Sequence, residues 1–334
     1  MKSTKITKLL CAVMAAAVSI GCVAGCSSTE AEEQVVIYSN ADDEAVESMK
    51  KTLDENGYSG KYIFQSFGTS ELGGKLLAEG KNIKADVVTM STYYLDSAEE
   101  QNDMFVDLTF DVNTTEENPS FYAPFLGNQG ALIINTEVLA ANNLEMPTSV
   151  RDLAKPEYNG FISVVDIAGS STAWLMIQSL VDNYGEAETE TILADIYRNA
   201  GAHLEQSGSG PIKKVRAGEV AIGFGLRHQA VADKADGLPI DYVDPAEGNY
   251  TLKEGLAVVD HGEETNPLAM EMVQCIIEKG RPDLMKTYPL PLYEGETADG
   301  NAMSANSKTF PEPLTVDLLE KHQEISENAK AAIQ

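Results

Sequence analysis

The chain lacks the common sequence signals of catalysis and of metal binding. It contains no Gly-x-Ser-x-Gly elbow, no His-Glu-x-x-His motif and no carboxylate cluster of metal-site type. Its four histidines, which do not have the spacing of metal ligands, are His203, His228, His261 and His322. These absences disfavour serine and zinc hydrolases, and we expect the protein to need no metal and no other cofactor.

Basic residues are also scarce. The 334 residues include 52 Asp and Glu but only 24 Lys and Arg, which gives a formal net charge of −28. A field of this sign repels nucleic acid and anionic headgroups, so neither is expected as a partner. It does not forbid a small anionic ligand, because local dipoles in a cleft outweigh distant screened charges.

The N-terminal segment has the pattern of an export signal. Three lysines precede the apolar stretch Leu9 to Ile20, which is shorter than the roughly 20 residues of a membrane-spanning helix. The next segment, Val23-Ala24-Gly25-Cys26, resembles the bacterial lipobox. The resemblance implies a signal peptide at residues 1–25, a lipid anchor on Cys26 at the extracytoplasmic face of the cell membrane, and an acidic, solvated tether at 26–33.

Removal of that signal would leave little cysteine. Cys11 and Cys22 would be lost with it, and a lipidated Cys26 could not pair. Cys275 would then be the only free cysteine, so no internal disulfide is possible. It lies in an apolar helical pattern and is expected to be a small buried residue. No later stretch is apolar for long enough to span a membrane.

Strand and helix patterns alternate along the mature chain. The predicted strands cover residues 34–39, 61–66, 85–90, 130–135, 161–165, 202–205, 220–224, 240–243 and 256–260. The predicted helices cover residues 41–55, 71–79, 172–183, 186–199, 266–278 and 316–333, with others beginning near 93 and 227. This rhythm predicts an α/β fold with mostly parallel, doubly wound sheets, and about 300 mature residues predict two domains.

Small hydroxylated loops follow several of these strands. They are Ser39-Asn40, Gly68-Thr69-Ser70, Ser91-Thr92, Gly169-Ser170-Ser171-Thr172 and Ser207-Gly208-Ser209-Gly210-Pro211. Ligands of open α/β sheets bind beyond the carboxyl ends of the strands, where helix N-termini and hydroxyls can hold an oxyanion. Each loop alone is also explained by ordinary helix capping. Five together predict an oxyanion site without identifying the anion.

Four further polar residues are candidates for ligand binding. Arg227 and His228 begin a helix after a strand, where the guanidinium can bind an oxyanion bidentately, although a surface ion pair explains Arg227 equally well. Glu247 is either part of a plain turn or a carboxylate facing a ligand ammonium. Gln129, immediately before the strand at 130–135, completes the set.

The chain resembles the extracellular solute-binding proteins of ABC importers, in the branch that binds ferric iron, thiamine, hexose phosphates and aminoethylphosphonate. The similar segments, whose order and spacing are together more specific than any one of them, are Val36–Ser39, Ala85–Val88, Gly130–Thr136, Pro147–Leu153, Pro156–Gly160, Val215–Gly223 and Pro245–Gly248. The resemblance implies a two-lobed type II periplasmic-binding-protein fold, with each lobe built on a mostly parallel doubly wound sheet and two crossing hinge segments between them.

The same resemblance implies boundaries and a role. Lobe 1 would comprise residues 34–134 and 253–334, and lobe 2 residues 135–252, with the hydroxylated loops of both facing one cleft that closes by hinge motion. The expected protein is a monomer that binds a small-molecule solute without chemistry and delivers it to an ABC permease in the membrane.

Comparison with the other binders of this branch narrows the choice of ligand. Its ferric binders use neighbouring tyrosines in the second lobe, whereas the only tyrosine pair here, Tyr93-Tyr94, is in the first. Ser209-Gly210-Pro211 with Arg227-His228-Gln229 is more similar to the binders of phosphonates and phosphate esters. We therefore expect a small organophosphonate, with 2-aminoethylphosphonate leading, then a sugar phosphate, then thiamine or a polyamine.

Two other classes of protein are alternatives to this interpretation. A surface phosphatase would use the same anion cradle, but the chain lacks the catalytic motifs named above. An adhesion or structural module would have little use for a dense set of hydroxylated loops at strand ends.

Overall fold

The computed structural model describes residues 34–298 and 303–333. The predicted signal peptide, the lipid anchor at Cys26 and the tether at 26–33 lie outside these residues, so all three stay predictions. In this part of the chain, none of the helices is both long enough and apolar enough to cross a membrane.

The described residues form an alternating series of strands and helices. The strands are β1 Val35–Ser39, β2 Tyr62–Ser66, β3 Val87–Ser91, β4 Tyr122–Asn135, β5 Ile162–Val165, β6 Leu204–Glu205, β7 Ile222–Leu226, β8 Ile240–Val243, β9 Asn249–Val258 and β10 Ser307–Lys308. The α-helices are α1 Asp43–Glu55, α2 Thr69–Glu79, α3 Thr92–Asn102, α4 Thr136–Ala141, α5 Thr172–Tyr184, α6 Glu186–Ala200, α7 Gly210–Arg216, α8 Arg227–Ala235, α9 Pro267–Cys275, α10 Arg281–Thr287 and α11 Val316–Ala331. The bounds of the short α4, α7 and α10 were not predicted, because fewer than two helical turns carry little periodicity.

The sheet contains two groups of parallel strands. Its order is β2-β1-β3-β9-β4-β7-β5-β6, with β10 beside β9 and β8 beside β4. Strand β1 pairs in parallel with β2 and β3, and β5 pairs in parallel with β6 and β7. We call β2-β1-β3 the first group and β7-β5-β6 the second group. Helices connect the strands within each group, as parallel pairing requires, so the predicted α/β fold is confirmed.

Two long antiparallel strands join the groups. Tyr122–Gln129 of β4 pairs with β9, whereas Gly130–Asn135 pairs with β7 and β8. Sequence analysis predicted only the second part of β4, because Pro124 and the polar residues before it indicate a break. The register shifts between Pro124 and Leu126, which lets the strand continue past the proline. The predicted lobe boundaries near these strands stay a prediction.

The packing of α1 and α5 fixes the loops that precede them. Asp42 caps α1 by accepting a 3.1 Å hydrogen bond from the Ala45 amide. The helix then buries Ala45, Val46, Met49 and Leu53 against the sheet. Helix α5 is buried on every side from Thr172 to Leu180. Both helix N-termini are therefore held at the carboxyl ends of strands, where a ligand site is expected.

Candidate functional site

A cavity of about 340 Å³ lies between loops that follow strands of both groups. The residues of the predicted set that line it are Asn40, Thr69, Ser170, Ser171, Thr172, Ser207 and Ser209. The long strands contribute Asn128 from β4 and Leu252 and Glu254 from β9. The cavity has the size of a small-metabolite site, and its lining is mainly polar.

One side of the cavity carries hydrogen-bond donors, and we call Ser170, Thr172, Ser207 and Ser209 the hydroxyl wall. The Ser170 and Thr172 hydroxyl oxygens are 3.4 Å apart, and those of Ser207 and Ser209 are 3.2 Å apart. The two loops touch at Gly208, where a Cβ atom would lie 2.3 Å from Thr172 Oγ1. Only glycine allows this close approach, which gathers the four hydroxyls into one surface.

Positive charge reinforces this wall. Lys213 and Arg216, one turn apart on α7, both line the cavity. Arg216 also donates to Asp233 through Nε at 2.7 Å and a terminal nitrogen at 2.9 Å, which fixes the guanidinium. The hydroxyl wall and these cations form a surface suited to an oxyanion, although the protein as a whole is strongly acidic.

A second set of lining residues carries hydrogen-bond acceptors in place of donors. We call Asn40, Asp42, Asn128, Gln229 and Glu254 the acceptor wall. All five line the same cavity. Within the described residues, Asn40 Oδ1, Asn128 Oδ1, Gln229 Oε1 and Glu254 Oε2 are buried and have no hydrogen-bond partner. Unpaired buried acceptors are costly, so a group of them in one cavity indicates a ligand that donates hydrogen bonds.

The pKa values of the two carboxyl groups of this wall are raised. Glu254 is 6% exposed, and burial, with the nearby Asp42 charge adding to it, raises the pKa of Glu254 to about 8. The amides of Asn40 and Asn128 partly offset that rise; Asn128 Nδ2 lies 3.3 Å from Glu254 Oε1. Burial also raises the pKa of Asp42, although Asp42 accepts hydrogen bonds from the Tyr288 hydroxyl and the Ala45 amide.

Ser39 and Arg227 do not line the 340 Å³ cavity, and each has hydrogen-bond partners within the protein. The Ser39 hydroxyl is buried, 2.7 Å from the Thr89 hydroxyl, and accepts from the Ala41 amide. Arg227 is 4% exposed, and its Nε donates to Asp244 at 2.7 Å. The guanidinium thus has an ion-pair partner inside the protein, as the alternative for Arg227 in sequence analysis allowed.

Glu247 serves an internal structural contact. It is 1% exposed and accepts hydrogen bonds from the amides of Val150 and Arg151 at 2.9 and 3.0 Å. The Tyr184 hydroxyl donates a third, at 2.9 Å. The carboxylate therefore fastens the turn at 150–151 and does not line the cavity.

Four more predicted residues do not line the 340 Å³ cavity. Gln129 donates to the hydroxyls of Thr251 and Ser307, and His228 Nε2 lies 3.8 Å from Asp42 Oδ2. Burial lowers the pKa of His228 to about 4, so its ring is neutral at pH 7. Thr92 lines a separate cavity of about 550 Å³, and Ser70 lies in the first turn of α2.

The described residues contain no group of three or more His, Cys, Asp or Glu that could hold a metal ion. Tyr93 and Tyr94 are 1% and 6% exposed, with ring centroids 4.7 Å apart, in the hydrophobic core. The only adjacent tyrosines in the chain thus do not line the 340 Å³ cavity.

Sequence analysis did not single out the acceptor wall as a unit. Glu254 was placed before a strand predicted at 256–260, whereas β9 begins at Asn249. The signal was available in the alternation Leu252, Glu254, Leu256, which places an acid on the same face of a strand as two buried leucines. A buried acid in an apolar pattern is a candidate for ligand binding.

Comparison with known proteins gives one family and several relatives. Residues 45–279 match the family described as bacterial extracellular solute-binding protein. A Haemophilus influenzae protein of uncharacterised function is 28% identical over 269 residues, 76% of each chain. The spermidine/putrescine-binding periplasmic protein of Escherichia coli is 22% identical over 280 residues, 77% of each chain.

Among solved structures, the periplasmic binding protein AfuA from Actinobacillus pleuropneumoniae, with fructose 6-phosphate bound, superposes with a TM-score of 0.68. It is 23% identical, and the match covers 90% of this chain and 97% of that chain. The likeness shows the fold alone. The predicted two-lobed periplasmic-binding-protein fold is confirmed.

Proposed function

The chain belongs to the bacterial extracellular solute-binding protein family and is the solute-binding protein of an ABC importer; we propose that its solute is a small organophosphonate, with 2-aminoethylphosphonate the leading candidate. The hydroxyl wall is the observation that carries this proposal. Ser170, Thr172, Ser207 and Ser209 lie together beside Lys213 and the N-terminus of the buried helix α5. A phosphonate group carries three oxygens and negative charge, which match hydroxyl donors, a lysine and a helix N-terminus.

The same geometry supports capture of the solute by closure of the two lobes. The cavity is lined by Asn40 and Thr69 beside the first group of strands and by the hydroxyl wall beside the second. A Cβ atom on Gly68 would lie 3.8 Å from the Gly169 carbonyl oxygen, so loops of the two sides meet across the cavity. We assign the lobes to 34–134 with 253–334 and to 135–252, with β4 and β9 as the crossing segments that bend on closure.

The ligand class is tested by thermal unfolding of the purified chain with and without candidate solutes. A ligand at about 100 times its dissociation constant adds roughly 2.7 kcal/mol to the free energy of unfolding, so 2-aminoethylphosphonate is expected to raise the melting temperature clearly. Native mass spectrometry of the untreated protein then shows whether it carries the same solute from its host. A shift with thiamine or ferric ion, and none with phosphonates, would overturn the phosphonate assignment.

A polyamine is the second candidate, and the acidic residues that line the cavity favour it. A diamine needs acceptors at both of its ends, whereas Lys213 and Arg216 stand beside the hydroxyl wall. Thiamine would need an aromatic surface for stacking, and Phe67 is the only aromatic residue that lines the cavity within the described residues. A sugar phosphate suits the hydroxyl wall but leaves the acceptor carboxylates without a cation.

A surface phosphatase is the alternative from another class. Incubation of the purified chain with a chromogenic phosphate ester tests it directly, with Ser209→Ala as the control. We expect no release of product. Turnover by the unsubstituted chain above the Ser209→Ala variant would contradict a role in binding alone.

Attachment to the membrane is proposed through Cys26, where a lipid would keep the binding protein near its permease and raise its local concentration. Substitution Cys26→Ala is expected to release the protein into the medium or periplasm while solute affinity stays unchanged. Cell fractionation with immunoblotting measures the first effect, and calorimetry of the released protein measures the second. Retention of the variant in the membrane would contradict the lipid anchor.

A further inference from the structure

The acceptor wall has no role in holding a phosphonate group. Glu254 and Gln229 are 6% and 3% exposed, they come from β9 and α8, and each has a buried oxygen without a partner in the described residues. Asn40 and Asn128 contribute two further unpaired amide oxygens. Oxyanions would be repelled by this surface, so it is built for a donor.

We propose that the acceptor wall is an ammonium pocket in which Glu254 is the ion-pair partner, so that the solute is a zwitterion with an amine at one end and an oxyanion at the other. The inference rests on the proposed function, because the oxyanion end is assigned to the hydroxyl wall. An ammonium has three donors, and Glu254, Gln229 and the two asparagine oxygens supply acceptors for them. Asp42 adds a second negative charge to the pocket.

The hydrogen bonds around the pocket fix which atoms face the ligand. Asn128 Nδ2 donates toward Glu254 Oε1 at 3.3 Å, and Asn40 Nδ2 donates to Thr69 Oγ1 at 3.3 Å. Both amide groups use their nitrogen inside the protein, so their oxygens are left for a donor. An ammonium among these oxygens would also favour the ionised form of Glu254, whose protonated form is favoured by burial.

The pocket therefore sets specificity within the class of phosphonates. Ethylphosphonate has the oxyanion and the two carbons of 2-aminoethylphosphonate but lacks the amine. The acceptor wall makes no compensating contact with a methyl group, and its buried acceptors would stay unpaired. Preference for the amine should accordingly depend on Glu254 and be independent of the contacts made by the hydroxyl wall.

Calorimetric titration of the full chain with three probes tests this inference. The probes are 2-aminoethylphosphonate, ethylphosphonate and putrescine, applied to the unsubstituted chain, to Glu254→Gln and to Glu100→Gln, an exposed carboxylate on α3 away from the cavity. We expect the unsubstituted chain and Glu100→Gln to bind the aminophosphonate at least about tenfold more tightly than ethylphosphonate. In Glu254→Gln, that preference should disappear through loss of aminophosphonate affinity, with ethylphosphonate affinity unchanged or higher.

The outcomes separate the two proposals. Equal affinity of the unsubstituted chain for both phosphonates, or an equal loss for both in Glu254→Gln, overturns the ammonium pocket and leaves the phosphonate function standing. The unsubstituted chain could instead bind putrescine and neither phosphonate, with putrescine binding abolished in Glu254→Gln. That result overturns the phosphonate function and supports the pocket. Binding of none of the three probes overturns both. Circular dichroism melting curves establish that each variant is folded.

Discussion

The two walls of the cavity are built in different ways. Most of the hydroxyl wall lies in two loops, with Thr172 as the first residue of α5, and Gly208 allows the loops to touch. Most of the acceptor wall is built on regular elements: Glu254 is inside β9, Asn128 is inside β4, Gln229 is in α8, and Asp42 caps α1, whereas Asn40 lies in the loop after β1. Donors on loops can adjust to an oxyanion, whereas acceptors on strands and helices are fixed in position before the ligand arrives.

This difference assigns two tasks to one cavity. Hydroxyls and backbone dipoles tolerate many phosphate-like groups, so the hydroxyl wall supplies affinity for the oxyanion of any phosphonate, with or without an amine. Glu254 gains an ion pair only from a solute that carries a cation, so the acceptor wall favours such solutes over those that lack one. Substitutions in the first wall should weaken all phosphonates alike, whereas substitutions in the second should change the order of preference among them.

The largest effect is expected from Gly208→Ala. The added Cβ atom would lie 2.3 Å from Thr172 Oγ1 and 3.3 Å from Ser170 Oγ, so the two loops would have to separate. We expect 2-aminoethylphosphonate and ethylphosphonate to lose affinity together, by about a hundredfold, in calorimetric titrations.

The matched control is Gly74→Ala, inside α2, where an added Cβ atom meets nothing within 4 Å. It should bind both ligands normally and gain up to about 1 kcal/mol of stability from its helical position. Normal binding by Gly208→Ala would contradict the assignment of these loops to the oxyanion.

The next effect is the pH dependence of selectivity. The pKa of Glu254 is about 8, so the carboxyl is mostly protonated at pH 6, and an ammonium must displace that proton to form an ion pair. The ratio of affinities for 2-aminoethylphosphonate and ethylphosphonate should therefore rise at least about tenfold between pH 6 and pH 8. The ratio is compared with that of Glu254→Gln, because the ammonium lowers the pKa of the phosphonate in 2-aminoethylphosphonate and the two solutes therefore titrate differently.

Three neighbours of Glu254 do not titrate between pH 6 and pH 8 and so cannot cause the change in the ratio of affinities. His228 has its pKa lowered to about 4 by burial, and the pKa of Tyr93 and that of Tyr288 are raised by burial, so all three stay neutral over the range. Asp42, whose pKa is also raised by burial, is a second carboxyl whose charge acts on Glu254. In Glu254→Gln the ratio should change with pH only as the two phosphonates themselves titrate, and a further rise that persists in this variant would assign the effect to Asp42.

A smaller effect is expected from Thr172→Val, which removes one hydroxyl of the hydroxyl wall and keeps the shape of the side chain. Loss of one hydrogen bond to a charged group should lower the affinity for both phosphonates by about tenfold. Thr191→Val, on the exposed side of α6, is the matched control and should change neither value. A loss confined to the aminophosphonate would place the amine at this wall instead.

The smallest effect concerns stability without ligand. The pKa of Glu254 in the fold lies above its ordinary value of 4.5, so the stability associated with its protonated form is lost as pH rises through about 8. Glu254→Gln cannot ionise, and it should gain on the order of 2 kcal/mol over the unsubstituted chain between pH 5 and pH 8. Thermal unfolding of both proteins at the two pH values measures this gain, and melting temperatures that fall in parallel would contradict the burial of an uncompensated carboxyl.

Much of the fold was predictable from sequence because strand and helix periods are local. The five hydroxylated loops were identified at strand ends, and residues of four of them reach the cavity or its edge: Asn40, Thr69, Ser170 to Thr172, and Ser207 with Ser209. The partners of buried polar groups were not predictable, because Arg227 meets Asp244 and Glu247 meets the amides of residues 150–151 only in three dimensions. The acceptor wall was missed for the same reason, since its members are separated by up to 214 positions, from Asn40 to Glu254.

The central claim is that one solute bridges two walls of opposite character, and a crystal structure of the chain with 2-aminoethylphosphonate tests it most directly. The account predicts phosphonate oxygens within about 3 Å of the hydroxyls of Thr172 and Ser209, and an amine within about 3 Å of Glu254. A phosphonate bound in the opposite orientation, or an amine directed into solvent with Glu254 unpaired, would contradict it.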